Sequence, residues 1–211
     1  MLLAGVTCAL AGWWLAHHPQ LVDQRGEETP WPIAGSITLT VVAGGVGAIS
    51  LRPNHYGIVA GVFSALFGIG LVMLAGTDFK RRVLPNRLTY SLLIMALAVA
   101  WVWPDRSMVD AFVGCAISLG IAAALIALGL IASGGRNPGG AFGVGDMKLI
   151  VLLGALLGWP LDATALILGS ALGGIAAVVV MIRSGRGQTI AYGPYLIAGG
   201  LVALLWPGRL G

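Results

Sequence analysis

An all-α, polytopic transmembrane helix bundle of about eight spans is what the sequence predicts, on three observations. Charged residues make up 9% of the 211 and hydrophobic ones 58%, whereas soluble domains carry about 25% charged residues. The apolar residues gather into runs near the length that crosses a hydrocarbon core, about 20 residues. Helix breakers and interfacial aromatics stand at the joints between runs.

Taken in order, the runs cover residues 1–16, 33–51, 57–77, 88–103, 109–133, 144–159, 163–182 and 191–207. The first has no basic start and no A-x-A cleavage pattern, so a retained helix is expected in preference to a signal peptide. Trp103-Pro104, Trp159-Pro160 and Trp206-Pro207 each close a run with an aromatic suited to the membrane interface and then a helix breaker. Residues 133–140 read as a flexible Gly-rich loop. The pairs Gly57/Gly61, Gly154/Gly158 and Gly169/Gly173 place small residues one turn apart, a signal for close helix packing in lipid. Residues 1–56 are predicted to form N-terminal membrane helices with a short cysteine-free loop, and 57–211 a second domain.

Lys and Arg set the orientation. Arg25, Lys80, Arg81, Arg82, Arg87, Arg136, Lys148, Arg183 and Arg186 fall in one set of loops, and Arg52, Arg106 and Arg209 in the other. Cytoplasmic loops carry the excess of basic residues, so the first set is predicted to face the cytoplasm and both termini the outside. The net charge of +4 therefore reports topology; the expected partner is the lipid bilayer, not nucleic acid.

Acidic residues are scarce enough to be examined singly. Asp146 lies between Gly145 and Met147-Lys148 at the start of an apolar run, and Asp78 closes an earlier run. Alternation of the spans puts both on the predicted cytoplasmic side. Residues 144–159 would make a helix of only about 24 Å, short for a core of roughly 30 Å, which predicts that Asp146 is drawn below the surface. An ionisable side chain at membrane depth is costly and marks a functional site by default. Two carboxylates held close share a proton. The ionised one can take a proton from water while the protonated one polarises a carbonyl, which is peptide hydrolysis without metal, cofactor or covalent intermediate. Gly143 and Gly145 would leave room there for an extended substrate to pair with backbone. Lys148 is either a positive-inside residue or a bias on the ionisation of Asp146. Asp105, Asp110 and Asp162 read as solvated carboxylates near the outer face.

Other chemistries are poorly supplied. His17, His18 and His55 fall in loops on two faces, so no metal site is expected, and Cys8 and Cys115 are isolated in apolar runs. No G-x-S-x-G, P-loop or strand-to-helix GxGxxG is present. The reading from a different class is a small transporter or assembly subunit whose acids conduct protons or bind a partner, although acids at span ends fit that less well than mid-span acids would.

Three motifs in order give the chain a family resemblance. Gly143-Val144-Gly145-Asp146-Met147-Lys148-Leu149 is similar to G-x-G-D-x-K-L; Asp78 followed by Leu84-Pro85-Asn86-Arg87-Leu88-Thr89 is similar to an Asp followed by I/L-P-N-x-L-T; Tyr192-Gly193-Pro194 resembles a C-terminal GP motif. Over residues 57–200 the sequence resembles the type IV prepilin peptidases, which include the archaeal preflagellin peptidases, within the GxGD intramembrane aspartyl proteases. The resemblance implies an endopeptidase that removes the basic leader of prepilin or pseudopilin substrates at the cytoplasmic membrane face. It makes 57–211 the catalytic domain, Asp78 and Asp146 the catalytic pair, and Gly143, Gly145, Lys148, Pro85 and Asn86 residues that support the pair or bind substrate. Presenilin-like and signal-peptide-peptidase-like proteins carry Y-D and P-A-L motifs, which this chain lacks. Bifunctional members carry two CxxC pairs in a long loop after the first helix and also N-methylate the product. Here residues 17–32 are short and cysteine-free, so no methyl transfer is expected.

Overall fold

The computed structural model describes residues 6, 9–10, 13, 33–50, 57–81, 84–132, 143–184 and 191–206. Among them there is no strand. The helices are α1 (Ile33–Ser50), α2 (Ile58–Arg81), α3 (Asn86–Ala98), α4 (Met108–Ala132), α5 (Val144–Leu157), α6 (Leu161–Ser184) and α7 (Gly193–Leu205), with a 3₁₀ turn at Ala100–Val102 between α3 and α4. The all-α membrane class is thus as the composition predicts. The run 1–16, the segment 17–32, the loop 133–140 and Cys8, His17, His18 and His55 lie outside the described residues, apart from residues 6, 9–10 and 13 of the first run.

Helix length divides the spans into two kinds. Ile58–Phe79, Met108–Leu128 and Leu161–Arg183 are long and apolar enough to cross a membrane; they belong to α2, α4 and α6, of 24, 25 and 24 residues. By contrast α3, α5 and α7 have 13, 14 and 13 residues, so each is only about 20 Å long. The run 88–103, read from sequence as one span, is broken after Ala98. Its last residues approach Pro104, and a residue preceding proline is disfavoured in the α conformation.

The chain divides into two compact units, Met1–Leu92 with Val102–Pro104, and Leu93–Trp101 with Asp105–Gly211. In the first, α1 packs on α2. Ala43 of α1 meets Ala65, Ile69 and Met73 of α2, and Leu88 of α3 covers them. Ala65, Ile69 and Met73 recur at a helical spacing of four, so one stripe of α2 faces that cluster. Trp103 is the surprise. The sequence reading made it an interfacial anchor, but its ring is buried, 5.8 Å from that of Phe67. Its Nε1–H donates to the buried Ser64 Oγ at 2.9 Å. A tryptophan can enter a core when its indole N–H finds an acceptor, and Ser64 supplies one.

The second unit is built around α5, which packs against α4, α6 and α7. Leu149, Ile150, Leu152, Leu153, Leu156 and Leu157 are all fully buried, so the helix is enclosed on every side. In lipid the hydrophobic effect does little to drive helices together, and close packing does more. Gly154 and Gly114 supply it: a Cβ on Gly154 would lie 2.5 Å from the Gly114 carbonyl oxygen and would clash with Ser118 Oγ. Of the other predicted small-residue contacts, Gly169 and Gly173 pack against Leu196 and Tyr192, whereas at Gly57, which precedes α2 at φ 81°, an added Cβ would meet nothing within 4 Å.

Candidate active site

Asp78 stands in the last turn of α2, at the end of an apolar span, and is only 6% exposed. The preceding Thr77 does not compete with it, because the Thr77 hydroxyl donates back to the Leu74 carbonyl at 3.0 Å. After α2 the chain turns through Leu84 and Pro85, both buried. Pro85 is placed where its missing N–H costs nothing, immediately before the first helical residue, Asn86. Its carbonyl accepts both the backbone N–H and the hydroxyl of Thr89, each at 3.0 Å. The Leu84-Pro85-Asn86-x-x-Thr89 pattern is therefore a local device for starting α3. Asn86 itself is exposed on the first turn of that helix. Asp78, Pro85 and Asn86 thus share the α2–α3 corner of the first unit.

Asp146 is the third residue of α5, and Gly143 is the N-cap. The Gly143 N–H donates to Asp146 Oδ2 at 3.2 Å, and the Asp146 N–H donates to the Gly143 carbonyl at 3.0 Å. This is one arm of a capping box. Glycine has no side-chain oxygen, so the other arm cannot form. Asp146 is half-buried, and the next residues, Met147, Leu149 and Ile150, are buried. Gly145 and Lys148 lie on the same first turns and are half-buried. Residues two apart on a helix do not face each other, so Lys148 reaches the neighbourhood of Asp146 from a different side of α5. Gly143, Gly145, Asp146 and Lys148 are together in the second unit, whereas Asp78, Pro85 and Asn86 belong to the first.

The opposite end of α5 holds a polar cluster that the sequence reading missed. Arg106, counted there as a charge of the outer loops, has a side chain only 3% exposed. Its Nη1 donates to the carbonyls of Leu156 at 2.7 Å and Leu157 at 3.0 Å, the last two residues of α5. Asp105 Oδ1 lies 3.5 Å from Arg106 Nε. The final carbonyls of a helix have no partner within it, and an unsatisfied one in a membrane interior costs several kcal/mol; the guanidinium meets that need. Gly158 then turns the chain at φ 70°, a left-handed conformation that favours glycine. The Trp159 N–H donates to the Asp110 carbonyl at 3.0 Å.

Two of the three carboxylates read as solvated are otherwise engaged. Asp162 is 0% exposed; it accepts from Ser118 Oγ at 3.3 Å and from the Ala163 N–H at 2.8 Å. It stands in the first turn of α6, where the helix dipole favours a negative group, and α4 brings the serine. Asp110 accepts from the Ser107 N–H and hydroxyl, both at 2.7 Å, and its own N–H donates to Ser107 Oγ at 3.2 Å. That is a complete capping box for α4, and Ser107-x-x-Asp110 was its available sequence signal. Among the described residues no group of three or more His, Cys, Asp or Glu is placed to hold a metal.

The C-terminal motif is structural in this setting. Tyr192 precedes α7 with Pro194 in its first turn. Its ring packs on Gly173 of α6, and its hydroxyl donates to the Ser170 carbonyl at 3.2 Å.

Fold and site together define a helical membrane protein with one acidic motif at the end of a long apolar span and another at the start of a short, enclosed helix. Residues 65–178, more than half of the chain and including both motifs, match the Type IV leader peptidase family. The chain belongs to that family. It is 31% identical over 170 residues to the prepilin leader peptidase/N-methyltransferase of Aeromonas salmonicida, covering 80% of this chain and 56% of the relative. The proteins of that description from Stutzerimonas stutzeri and Pectobacterium carotovorum are 30% and 32% identical over 143 residues, covering 67% and 65% of this chain and 48% and 49% of theirs. The chain spans about half the length of the curated relatives it matches. No solved structure matches it.

Proposed function

We propose that the chain is an aspartyl endopeptidase that removes the leader of prepilin-like substrates, with 57–211 as its catalytic domain. The observation that carries this reading is the family match over residues 65–178, a stretch that contains Asp78 and Asp146. Asp78 and Asp146 are the proposed catalytic pair. Gly143 and Gly145 keep the approach to Asp146 clear of side chains, and Pro85 and Asn86 shape the corner that follows Asp78.

The surroundings favour a division of roles. Asp146 sits at the N-terminal, positive end of α5 with the Gly143 N–H on one oxygen, a setting that supports a negative charge. It suits the general base that takes a proton from water. Asp78 sits in the last turn of α2, where the carbonyl end of the helix gives a negative charge no such support; it suits the donor that polarises the scissile carbonyl. Proton transfer from water to Asp146 lets hydroxide add to the carbonyl carbon while the proton on Asp78 moves to the carbonyl oxygen. Collapse of the tetrahedral species returns a proton to the leaving amine. Neither metal nor cofactor has a place in this sequence.

The Lys and Arg distribution supports a cytoplasmic active site in the cytoplasmic membrane of a bacterial-type cell. Reporter fusions after Arg82 and after Arg136 should both read cytoplasm, and one after Asp105 the outer face; motif loops on opposite sides would end the dyad reading. The direct test is co-expression with candidate prepilins or pseudopilins, followed as a mobility shift. Cleavage should occur with the unsubstituted chain, persist with zinc chelators, and vanish in Asp78→Asn and in Asp146→Asn. Mass spectrometry of the product should show an unmethylated amino terminus, since these 211 residues contain no CxxC pair. The transporter reading would gain if a well-inserted Asp146→Asn protein still cleaved.

A further inference from the structure

We propose that Arg106 is a positioning residue for Asp146: by gripping the last carbonyls of α5 it sets where that helix lies along its axis, and so where the carboxylate at its other end sits. The proposal rests on the peptidase reading for its consequence in catalysis but not for its geometry.

The argument starts from the length of α5. At 14 residues it is about 21 Å long, too short to reach both edges of a bilayer core of roughly 30 Å. Its axial placement is therefore not set by its ends meeting the two interfaces, as it is for a full-length span. Its flanks hold it by shape, with Gly154 seated against the Gly114 backbone and Ser118 of α4, and that packing fits the helix sideways as well as along its axis. The hydrogen bonds at the C-terminal end have direction. Arg106 Nη1 lies 2.7 Å and 3.0 Å from two successive carbonyls, so a slide of a single residue rise would break both. Asp105 Oδ1 lies 3.5 Å from the Arg106 Nε, and two residues on, at Met108, the chain enters α4. Arg106 thus ties the end of α5 to the start of α4.

A helix of three to four turns moves along its axis as one body, so a displacement at Leu157 reappears at Asp146. At the near end, the Gly143 N–H meets Asp146 Oδ2 at 3.2 Å; both belong to one segment, so that bond travels with the helix. Reactions that depend on two groups meeting a substrate lose about a hundredfold for a misplacement of about 1 Å.

The experiment compares Arg106→Met, Arg106→Lys and Ser107→Ala with the unsubstituted chain, each purified in detergent at full length. Methionine keeps an unbranched apolar stem and removes the donors. Lysine restores one donor to the same carbonyls. Ser107→Ala weakens the cap of α4 at the same end without touching α5. Two readouts are taken: kcat and KM for leader cleavage by the folded fraction, and amide hydrogen exchange over residues 144–150, at the far end of the helix.

Arg106→Met should lower kcat at least about tenfold with KM within about twofold, and should speed exchange over 144–150 at least about tenfold. Arg106→Lys should recover most of both. Ser107→Ala should lower thermal stability and leave both readouts at their original values. A purely local role for Arg106 would raise exchange only over residues 154–162 and leave kcat unchanged, and that result overturns the proposal. If Arg106→Met does not accumulate, Arg106→Lys and Asp105→Asn decide it: original kcat and exchange in both would overturn the proposal, and a graded loss in both would support it. If the unsubstituted chain cleaves no prepilin, the peptidase reading fails, and the exchange over 144–150 still decides the positioning claim.

Discussion

Two aspartates of the second unit occupy the same helical position with opposite surroundings. Asp110 is the third residue of α4 and Asp146 the third residue of α5. At the first, the N-cap is Ser107: its N–H and its hydroxyl each donate to the Asp110 carboxylate at 2.7 Å, and the Asp110 N–H donates to its hydroxyl oxygen at 3.2 Å. At the second, the N-cap is Gly143, which offers an N–H at 3.2 Å and no side chain to answer. One carboxylate takes two short bonds from its N-cap residue; the other takes a longer bond from the backbone of a glycine N-cap. If Asp146 is the base proposed above, it is the N-cap partner, and not the acid itself, that separates the reactive carboxylate from the structural one.

The largest effect that would break this comparison is catalytic. Asp146→Asn and Asp78→Asn should each reduce cleavage by at least about a thousandfold, within the range for losing a general acid or base. The double substitution should cost little more, because groups acting as a unit are not additive. Asp110→Asn should leave cleavage near normal and lower the thermal midpoint slightly, as weakening a helix cap does. Full activity in Asp146→Asn with loss in Asp110→Asn would reverse the assignment. The measurement is initial rate of leader cleavage beside a thermal midpoint for each protein.

Next in size is the packing that holds α5 between the two ends. Gly154→Val should destabilise by about 3 kcal/mol or more, because the added atoms meet the Gly114 backbone and Ser118, and neither can withdraw without separating α4 from α5. Gly120→Ala, on the same α4 with nothing within 4 Å of the new methyl, should be neutral or stabilising by about 0.5–1 kcal/mol. Denaturation in a common detergent separates the two; equal effects would mean that the α4–α5 approach is not as close as the glycines indicate.

A smaller effect is expected at the anchored end. Asp162→Ala leaves the buried Ser118 hydroxyl and the Ala163 N–H without their acceptor, at about 1–3 kcal/mol. Asp162→Asn keeps an acceptor oxygen and should cost less. Cleavage by the folded protein should be near normal in both, since Asp162 bonds Ser118 of α4 and Ala163 of α6 and does not touch the last carbonyls of α5. A kcat loss in Asp162→Asn comparable to that of Asp146→Asn would move the functional centre to the other end of the bundle.

How much of this was legible in the residues alone follows from what each feature depends on. The all-α class and the positions of six of the apolar runs depend on local composition and turn chemistry, and could be read, whereas the run begun at Leu88 starts as α3 two residues earlier, at Asn86. Both aspartate motifs could also be read, because their residues are contiguous. The break after Ala98 had a local sign in Pro104, but a continuous apolar run concealed it. Arg106, Asp162 and Trp103 could not be placed, since burial there depends on which segment folds back over which. Arg106 lies 50 residues from Leu156, Ser118 lies 44 from Asp162, and Trp103 lies 39 from Ser64. A charge in a loop reads as a topology signal until its acceptors are known.

The smallest effect on stability is the sharpest test of the opening comparison, because it converts one end into the other. Gly143→Ser would place at α5 the hydroxyl that Ser107 gives α4. The backbone permits it: Gly143 has φ −74° and ψ 150°, an extended conformation open to any residue. A Cβ there would lie 3.6 Å from Asp146 Oδ2, ordinary van der Waals contact. Serine exceeds glycine as an N-cap by only a few tenths of a kcal/mol, so the thermal midpoint should hold or rise slightly. On the proposed mechanism activity should fall, since the hydroxyl can donate to the carboxylate as Ser107 does to Asp110 and would compete with the water that the proposed base Asp146 deprotonates. Gly143→Ala fills the rim equally without a hydroxyl, and should keep more activity than the serine variant while gaining no stability. A serine variant that is both more stable and fully active would show that Asp146 can serve its helix cap and its reaction at once, and the contrast with Asp110 would then lie in depth along the bundle, not in the identity of the N-cap.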